Sequence, residues 1–195
     1  MANSPKKFTS IVRDLKNLVI WVLIALMIRW QVIEPRWIPS GSMLPTLQIQ
    51  DKILIEKLTP KINKKNNFSK FKDQIIVFNA PEILVDSGYE SNTALIKRVI
   101  GTPGDKIEVK EGTLYINDIL QNNYPTDKEI NYSVGPYIVP EDSLWVMGDN
   151  RNNSMDSHVW GFLPYKKVIG KAFIRYWPIN KFGPIHFPNL NNLDN

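Results

Sequence analysis

The chain has 195 residues, 43% of them hydrophobic, which suffices for one packed domain with an N-terminal appendage but hardly for two independent cores. It has no cysteine, which excludes disulfide scaffolds, thiol nucleophiles and cysteine-ligated metals and is compatible with an oxidising, extracytoplasmic setting. A formal charge of +5 is mildly basic, and the lysines gathered at Lys57, Lys61, Lys64, Lys65, Lys70 and Lys72 lack the aromatic interleaving of a nucleic-acid surface, so they read as a solvated loop near anionic lipid headgroups.

The first predicted element is apolar at every position from Leu18 to Ile28. Extended to Asn17–Ile33, with Lys16 and Arg29 reaching toward opposite interfaces, it has 17 residues. At about 1.5 Å rise per residue these cover roughly 25 Å, the lower end of a membrane span, and Trp30 and Trp37 suit an interfacial belt. A cleaved leader needs small residues behind its apolar run, whereas Arg29–Trp37 is bulky throughout. The expectation is one uncleaved transmembrane helix at 17–33, a cytoplasmic tail at 1–16 and an extracytoplasmic domain at 34–195. Lys6, Lys7, Arg13 and Lys16 outnumber Arg29 and Arg36, which puts the N-terminus inside.

Beyond Pro35 helical periodicity gives way to short β-prone runs between turn residues: 52–58, 74–79, 94–100, 106–110, 113–117, 144–147 and 172–177. The stretch Lys106–Asp118 predicts a hairpin turning at Glu111-Gly112. Many short strands imply an all-β domain, a barrel or stacked sheets, with long irregular connections at 59–71 and 121–137.

Chemistry concentrates in three segments. In Ile38-Pro39-Ser40-Gly41-Ser42-Met43-Leu44-Pro45-Thr46-Leu47 a glycine between two serines permits a sharp turn that presents a hydroxyl and nearby amides to a carbonyl; by spacing alone, an ordinary Pro-Ser-Gly turn is the commoner reading. In Ala94-Leu95-Ile96-Lys97-Arg98-Val99-Ile100-Gly101, Lys97 is either an outward-facing strand lysine or an amine desolvated by apolar neighbours, with a lowered pKa suited to a general base. The run Met147–Ser157, MGDNRNNSMDS, is a hydrogen-bonded loop in which the EF-hand spacing is missing, so no metal is expected. His158 and His186 sit in no informative motif, which disfavours a Ser–His–Asp triad.

In that order behind an apolar anchor, PSGSMLPTL, LIKRVIGTPGD and GDNRNNSMDS closely resemble the signature boxes of type I signal peptidases, over about 18–177, and the GDNRNNSMDSHVWGFLP wording looks most like cyanobacterial or plastid-type members. The resemblance implies an all-β catalytic domain of signal-peptidase type with a Ser/Lys dyad, preceded by one N-terminal transmembrane helix. Residue by residue it implies Ser42 as nucleophile, Lys97 as general base, and the Ser40 hydroxyl with the Ser42 amide as oxyanion hole. It further implies Ser154 as the residue orienting the lysine, Arg151 and Asp156 as a supporting ion pair, and Asp149 as a stiffening carboxylate. Ile38, Pro39, Met43, Leu47, Ile53, Val77, Leu95 and Ile96 would line shallow substrate pockets. Two positions depart from the pattern: Asp73-Gln74 stands where Gly-Asp is frequent, and Asn152 where Asp is.

The implied reaction removes signal peptides from exported preproteins after small residues, at the membrane and near the export channel, with no cofactor, metal or nucleic acid. The membrane is the cell or thylakoid membrane. Two other readings stand beside it. Soluble self-cleaving repressors share a Ser/Lys dyad but carry a DNA-binding module where this chain has an apolar segment. A non-catalytic tethered β domain would leave Lys97 in solvent, far from Ser42.

Overall fold

In the computed structural model, residues 5–62, 68–122, 124 and 128–185 are described. Helix α1 runs from Pro5 to Val32 and passes directly into strand β1, Ile33–Trp37. Within it, Leu18, Val19, Trp21, Leu23 and Met27 are all exposed, so the apolar surface faces outward around the helix rather than toward the domain. Among the described residues no helix is long and apolar enough to cross a membrane. The uninterrupted apolar run is Leu18–Ile28, closed by Asn17 and Arg29.

The remaining strands are β2 (Lys52–Glu56), β3 (Ile75–Asn79), β4 (Ala94–Gly101), β5 (Lys106–Lys110), β6 (Thr113–Ile116), β7 (Ile119–Leu120), β8 (Val134–Ile138), β9 (Ser143–Met147), β10 (Leu163–Pro164), β11 (Val168–Trp177) and β12 (Gly183–Pro184). Short helices α2 (Leu58–Ile62), α3 (Glu82–Asp86) and α4 (Ser157–Trp160) fill connections. One sheet has the order β1-β2-β11-β3-β4-β9-β10, with β12 added to β11; a second has the order β7-β6-β5-β8. Every described pairing is antiparallel. The domain expected to be all-β is mostly β, and each of the seven predicted runs overlaps a strand, the first overrunning β2 to Leu58 at the start of α2. The first connection, expected to be irregular, contains α2 and a 3-10 turn at Phe68–Phe71.

The hairpin turns where it was expected. Lys110 pairs with Thr113 across Glu111 and Gly112, at φ +50° and +75°, the left-handed pair that suits a right-twisted two-residue turn. Strands β1, β7, β8, β10 and β12 were not predicted, and β11 starts four residues before its predicted start. Pro35 and Pro136 interrupt the apolar patterning of β1 and β8, and both are edge strands, where a residue without an N–H is tolerated.

Three apolar clusters hold the two sheets. Phe71, Phe78, Val146 and Trp160 pack on one face of the large sheet. Ile107, Leu114, Trp145 and Met147 join it to the small sheet. Ile38, Met43, Leu47, Ile53, Ile75, Val77 and Ile96 form the third, on which the first chemical motif sits.

Candidate active site

The Pro-Ser-Gly turn is pinned from below. Ser42 lies in a one-turn 3-10 helix, Gly41–Met43, flanked by Ile38 and Met43, both essentially inaccessible to solvent. Burying such side chains contributes about 1.5–3 kcal/mol each, so the hydroxyl between them is held on a rigid platform. The loop closes on itself, since the Ile38 amide donates to Asp51 O at 2.9 Å and the Gln50 amide to Ile38 O at 2.8 Å. Arg175 on β11 fastens it further, donating to Asp51 Oδ2 at 2.8 Å and to Thr46 O at 3.2 Å.

Lys97 is on β4, 4% exposed, and its Nζ lies 2.9 Å from Ser42 Oγ and 3.0 Å from Ile96 O. Burial lowers its pKa to about 8, against the opposing attraction of Asp156 and then Asp149. As an ammonium Nζ donates to Ser42 Oγ. Once neutral, it accepts the Ser42 O–H across the same contact, and attack on a carbonyl becomes possible. The general-base role expected of Lys97 needs the neutral amine, so under that expectation kcat/KM should climb as pH rises through about 8. An imidazole base would place the limb near about 6.5. The His158 ring is stacked on Tyr132 at 4.0 Å and bonded to Asp156 at 2.8 Å, so His158→Gln is expected to leave the limb in place. A pH–rate profile in which that substitution moves or erases the limb would refute the lysine assignment. His186 lies outside the described residues.

Ser40 Oγ is 3.4 Å from Ser42 Oγ, on the exposed side of the turn. The oxyanion role expected of this hydroxyl is exercised in the transition state, so Ser40→Ala should lower kcat by about 10²–10³ with KM nearly unchanged. Steady-state cleavage of a preprotein separates the two constants, and a rise in KM alone would remove Ser40 from the oxyanion role.

The third motif brackets the turn from the other side. Asn150 donates its amide to Ser42 O at 3.0 Å and its side-chain Nδ2 to Gly41 O at 3.1 Å. Gly148 is required by this approach: a Cβ there would collide with the Ser42 carbonyl and the Ser154 side chain. Asp156 is wholly buried; its Oδ2 takes the Gly148 amide at 2.8 Å, and its Oδ1 caps α4 through His158 N.

Several expected pairings are corrected. Arg151 and Asp156 share the loop but form no ion pair among the described residues: Arg151 Nε donates to Gly148 O at 3.0 Å and its guanidinium covers the Tyr124 ring, while Asp156 is occupied by Gly148 and His158. The buried ion pair is Asp149 with Arg98, bidentate at 2.7 Å on both oxygens. The Ser154 hydroxyl is buried and takes no hydrogen bond among the described residues, so the expected bond to Lys97 is not made; the Ile96 carbonyl orients Nζ instead. Of the eight expected lining residues, Ile38, Pro39, Ile53, Val77, Leu95 and Ile96 line one cavity of about 190 Å³ together with Arg36, Trp37 and Ala94. Met43 and Leu47 do not line it; they are buried beneath the serine turn. A larger cavity of about 900 Å³ shares no residue with the dyad.

Sequence reasoning missed Arg98, Asn150, Arg175 and Asp51. Arg98 stands beside Lys97 in its motif, and an arginine in a buried β run is itself a signal, because a charge there needs a partner. Asn152, at a position departing from the expected pattern, bonds the 121–137 connection: it accepts from the Asn131 amide and donates to Glu129 O, both at 2.8 Å.

The family described as signal peptidase, peptidase S26, matches residues 11–177. Signal peptidase I of Leptolyngbya laminosa is 42% identical over 96% of this chain and 90% of its own length. Probable signal peptidase I-2 of Synechocystis is 43% identical over 86% of this chain and 74% of its own. The probable thylakoidal processing peptidase 2 of Arabidopsis thaliana, chloroplastic, is 41% identical over 88% of this chain and 46% of its own length. With its three motifs folded around one serine turn, and with relatives of this kind matched over nearly its whole length, the chain belongs to the signal peptidase family, peptidase S26, among the signal peptidase I enzymes.

Proposed function

We propose that this chain is a membrane-anchored serine endopeptidase that removes signal peptides from exported preproteins with Ser42 as nucleophile and Lys97 as general base. The observation that carries the reading is the 2.9 Å contact between Ser42 Oγ and a buried Lys97 Nζ whose pKa is lowered to about 8. Ser42 attacks the carbonyl before the scissile bond, Lys97 takes the hydroxyl proton and passes it to the leaving amine, and the neutral amine then activates water for deacylation. Ser40 and the Ser42 amide stabilise the oxyanion.

Strand β9 pairs with β4 only from Arg98 onward, so an extended substrate has the outer edge of Ala94–Lys97 to pair with, leading its scissile carbonyl toward Ser42. The cavity beside that edge, walled by Ile38, Ile53, Val77, Leu95 and Ile96, is in this reading the pocket for the small side chain that precedes the scissile bond. Asn17–Ile33 is the anchor in this reading, with Lys16 and Arg29 snorkelling outward and the N-terminus cytoplasmic; support comes from an apolar helical surface exposed on all sides. The anchor holds the site at the membrane surface, where its tethered substrates are concentrated, in the cell or thylakoid membrane and near the export channel. Incubation of an exported preprotein in detergent with the wild-type chain and with Ser42→Ala tests the reading. Release of the mature protein only by the wild type is expected, and equal release by both would overturn it.

A further inference from the structure

The 900 Å³ cavity takes no part in the peptidase reading, and its position gives it a use. It opens where α1 ends: the Lys57 amide donates to Val32 O at 2.8 Å, and Glu34, on β1 just beyond the helix, stands on its wall. The floor is apolar, from Pro60 of α2 to Tyr165, Val168 and Ile169, and the Tyr165 hydroxyl closes one side by donating to Pro60 O at 3.2 Å. Above the floor stand Lys61 and Lys166, both exposed.

The charges are unevenly matched. Glu34 is engaged by Lys57 at 3.1 Å and by Arg36. Lys61 and Lys166 form no ion pair among the described residues, and Asp142 is the cavity's other carboxylate. An apolar floor under two unmatched ammonium groups suits an amphiphile with an anionic head. With α1 as the anchor, the cavity lies at the depth of the lipid headgroups, where basic residues attract anionic lipid.

We infer that this cavity binds the headgroup of an anionic membrane lipid, its phosphate between Lys61 and Lys166 and its glycerol end against Tyr165 and Val168. The inference rests on the anchored reading. Bound there, the lipid would fix the domain's tilt on the membrane, through β1 and α2, without touching the dyad.

The test uses the full chain in dodecyl maltoside micelles titrated with phosphatidylglycerol or phosphatidylcholine, with retained lipid counted by native mass spectrometry. Phosphatidylglycerol should be retained at one molecule per chain and phosphatidylcholine should not. Lys61→Ala/Lys166→Ala should weaken retention by at least about tenfold. Lys106→Ala/Lys110→Ala, on the distant hairpin, should leave it unchanged, and both variants should keep wild-type cleavage in detergent as proof of folding. Equal retention by wild type and Lys61→Ala/Lys166→Ala, or equal retention of both lipids, overturns the inference. Displacement by free glycerol 3-phosphate at concentrations similar to the lipid's would assign the site to soluble anions instead. Alkaline carbonate extraction of the chain from membranes reports separately on the anchor. A chain that resists extraction yet shows no lipid selectivity refutes this site alone, and one that is extracted yet retains phosphatidylglycerol refutes the anchor alone.

Discussion

Ser42→Ala and Lys97→Met are each expected to lower kcat for preprotein cleavage on the order of 10⁴–10⁶, with the double variant no slower than either single, because a nucleophile and its base act as one unit. The structural ground is the single contact that both substitutions remove. Loss of folding is the obvious alternative explanation, and for Lys97→Met the physics points the other way. Burial lowers the Lys97 pKa from 10.5 to about 8, which at about 1.4 kcal/mol per factor of ten corresponds to a penalty of about 3 kcal/mol for the folded ammonium. That penalty is complete below pH 8, where the lysine is charged in both states, and vanishes as pH rises to 10.5, where it is neutral in both. Lys97→Met should therefore unfold at no lower denaturant concentration than wild type at neutral pH, and any advantage should fade toward pH 10.5. A dead but stable variant assigns the loss to chemistry. Appreciable turnover by Lys97→Met would remove the lysine from the mechanism, and a clear loss of stability would mean that the buried amine is compensated by contacts beyond Ser42 and Ile96.

What could be read from the chain divides along a physical line. Strands β3 and β4 were legible because most of their positions are buried and select for β-prone apolar residues, 75–78 in β3 and Ile96, Val99 and Ile100 in β4, with Lys97 and Arg98 interrupting the second run. Strands β7, β10 and β12 have two residues each and exist only because a neighbouring strand offers hydrogen bonds, so no local pattern marks them. At the site, Ser42, Ser40 and Lys97 were nameable through the resemblance of their motifs, where spacing alone left the serine turn and the strand lysine ambiguous, and the fold brings the three hydroxyl and amine groups together. The polar partners were harder to name. Arg151, Asp156, Asp149 and Arg98 crowd the centre with charges whose pairing is set by the orientation of the 148–157 loop over β4, a three-dimensional fact with no counterpart in spacing. Ser154 illustrates the same limit: its side chain lies against Gly148, yet its hydroxyl takes no hydrogen bond among the described residues and leaves Lys97 to the Ile96 carbonyl.

Removal of Arg98 should strongly destabilise the β domain. Its guanidinium is 1% exposed, holds both oxygens of Asp149, donates to Asp73 O at 2.8 Å and lies 3.4 Å from Thr46 Oγ1, so one side chain ties the third motif to the serine loop. Arg98→Met leaves the Asp149 carboxylate buried without its bidentate donors, and breaking a buried pair from one side costs about 3–5 kcal/mol. Taking out both charges at similar volume, as Arg98→Met/Asp149→Leu, removes the stranded carboxylate and should recover most of that loss, since the pair's attraction is largely offset by the desolvation of its members. Recovery of stability need not bring recovery of rate. The double variant still lacks the links from β4 to Thr46 and Asp73 O, so the serine loop should sit less firmly and kcat should remain below wild type even where the unfolding midpoint has returned. Urea unfolding followed by tryptophan fluorescence, paired with preprotein cleavage for the same three proteins, separates the two effects. If Arg98→Met unfolds at the wild-type midpoint, Asp149 has found another donor and Arg98 is not what holds the two motifs together. If the double variant is as unstable as the single, the loss comes from the Thr46 and Asp73 contacts rather than from a stranded charge.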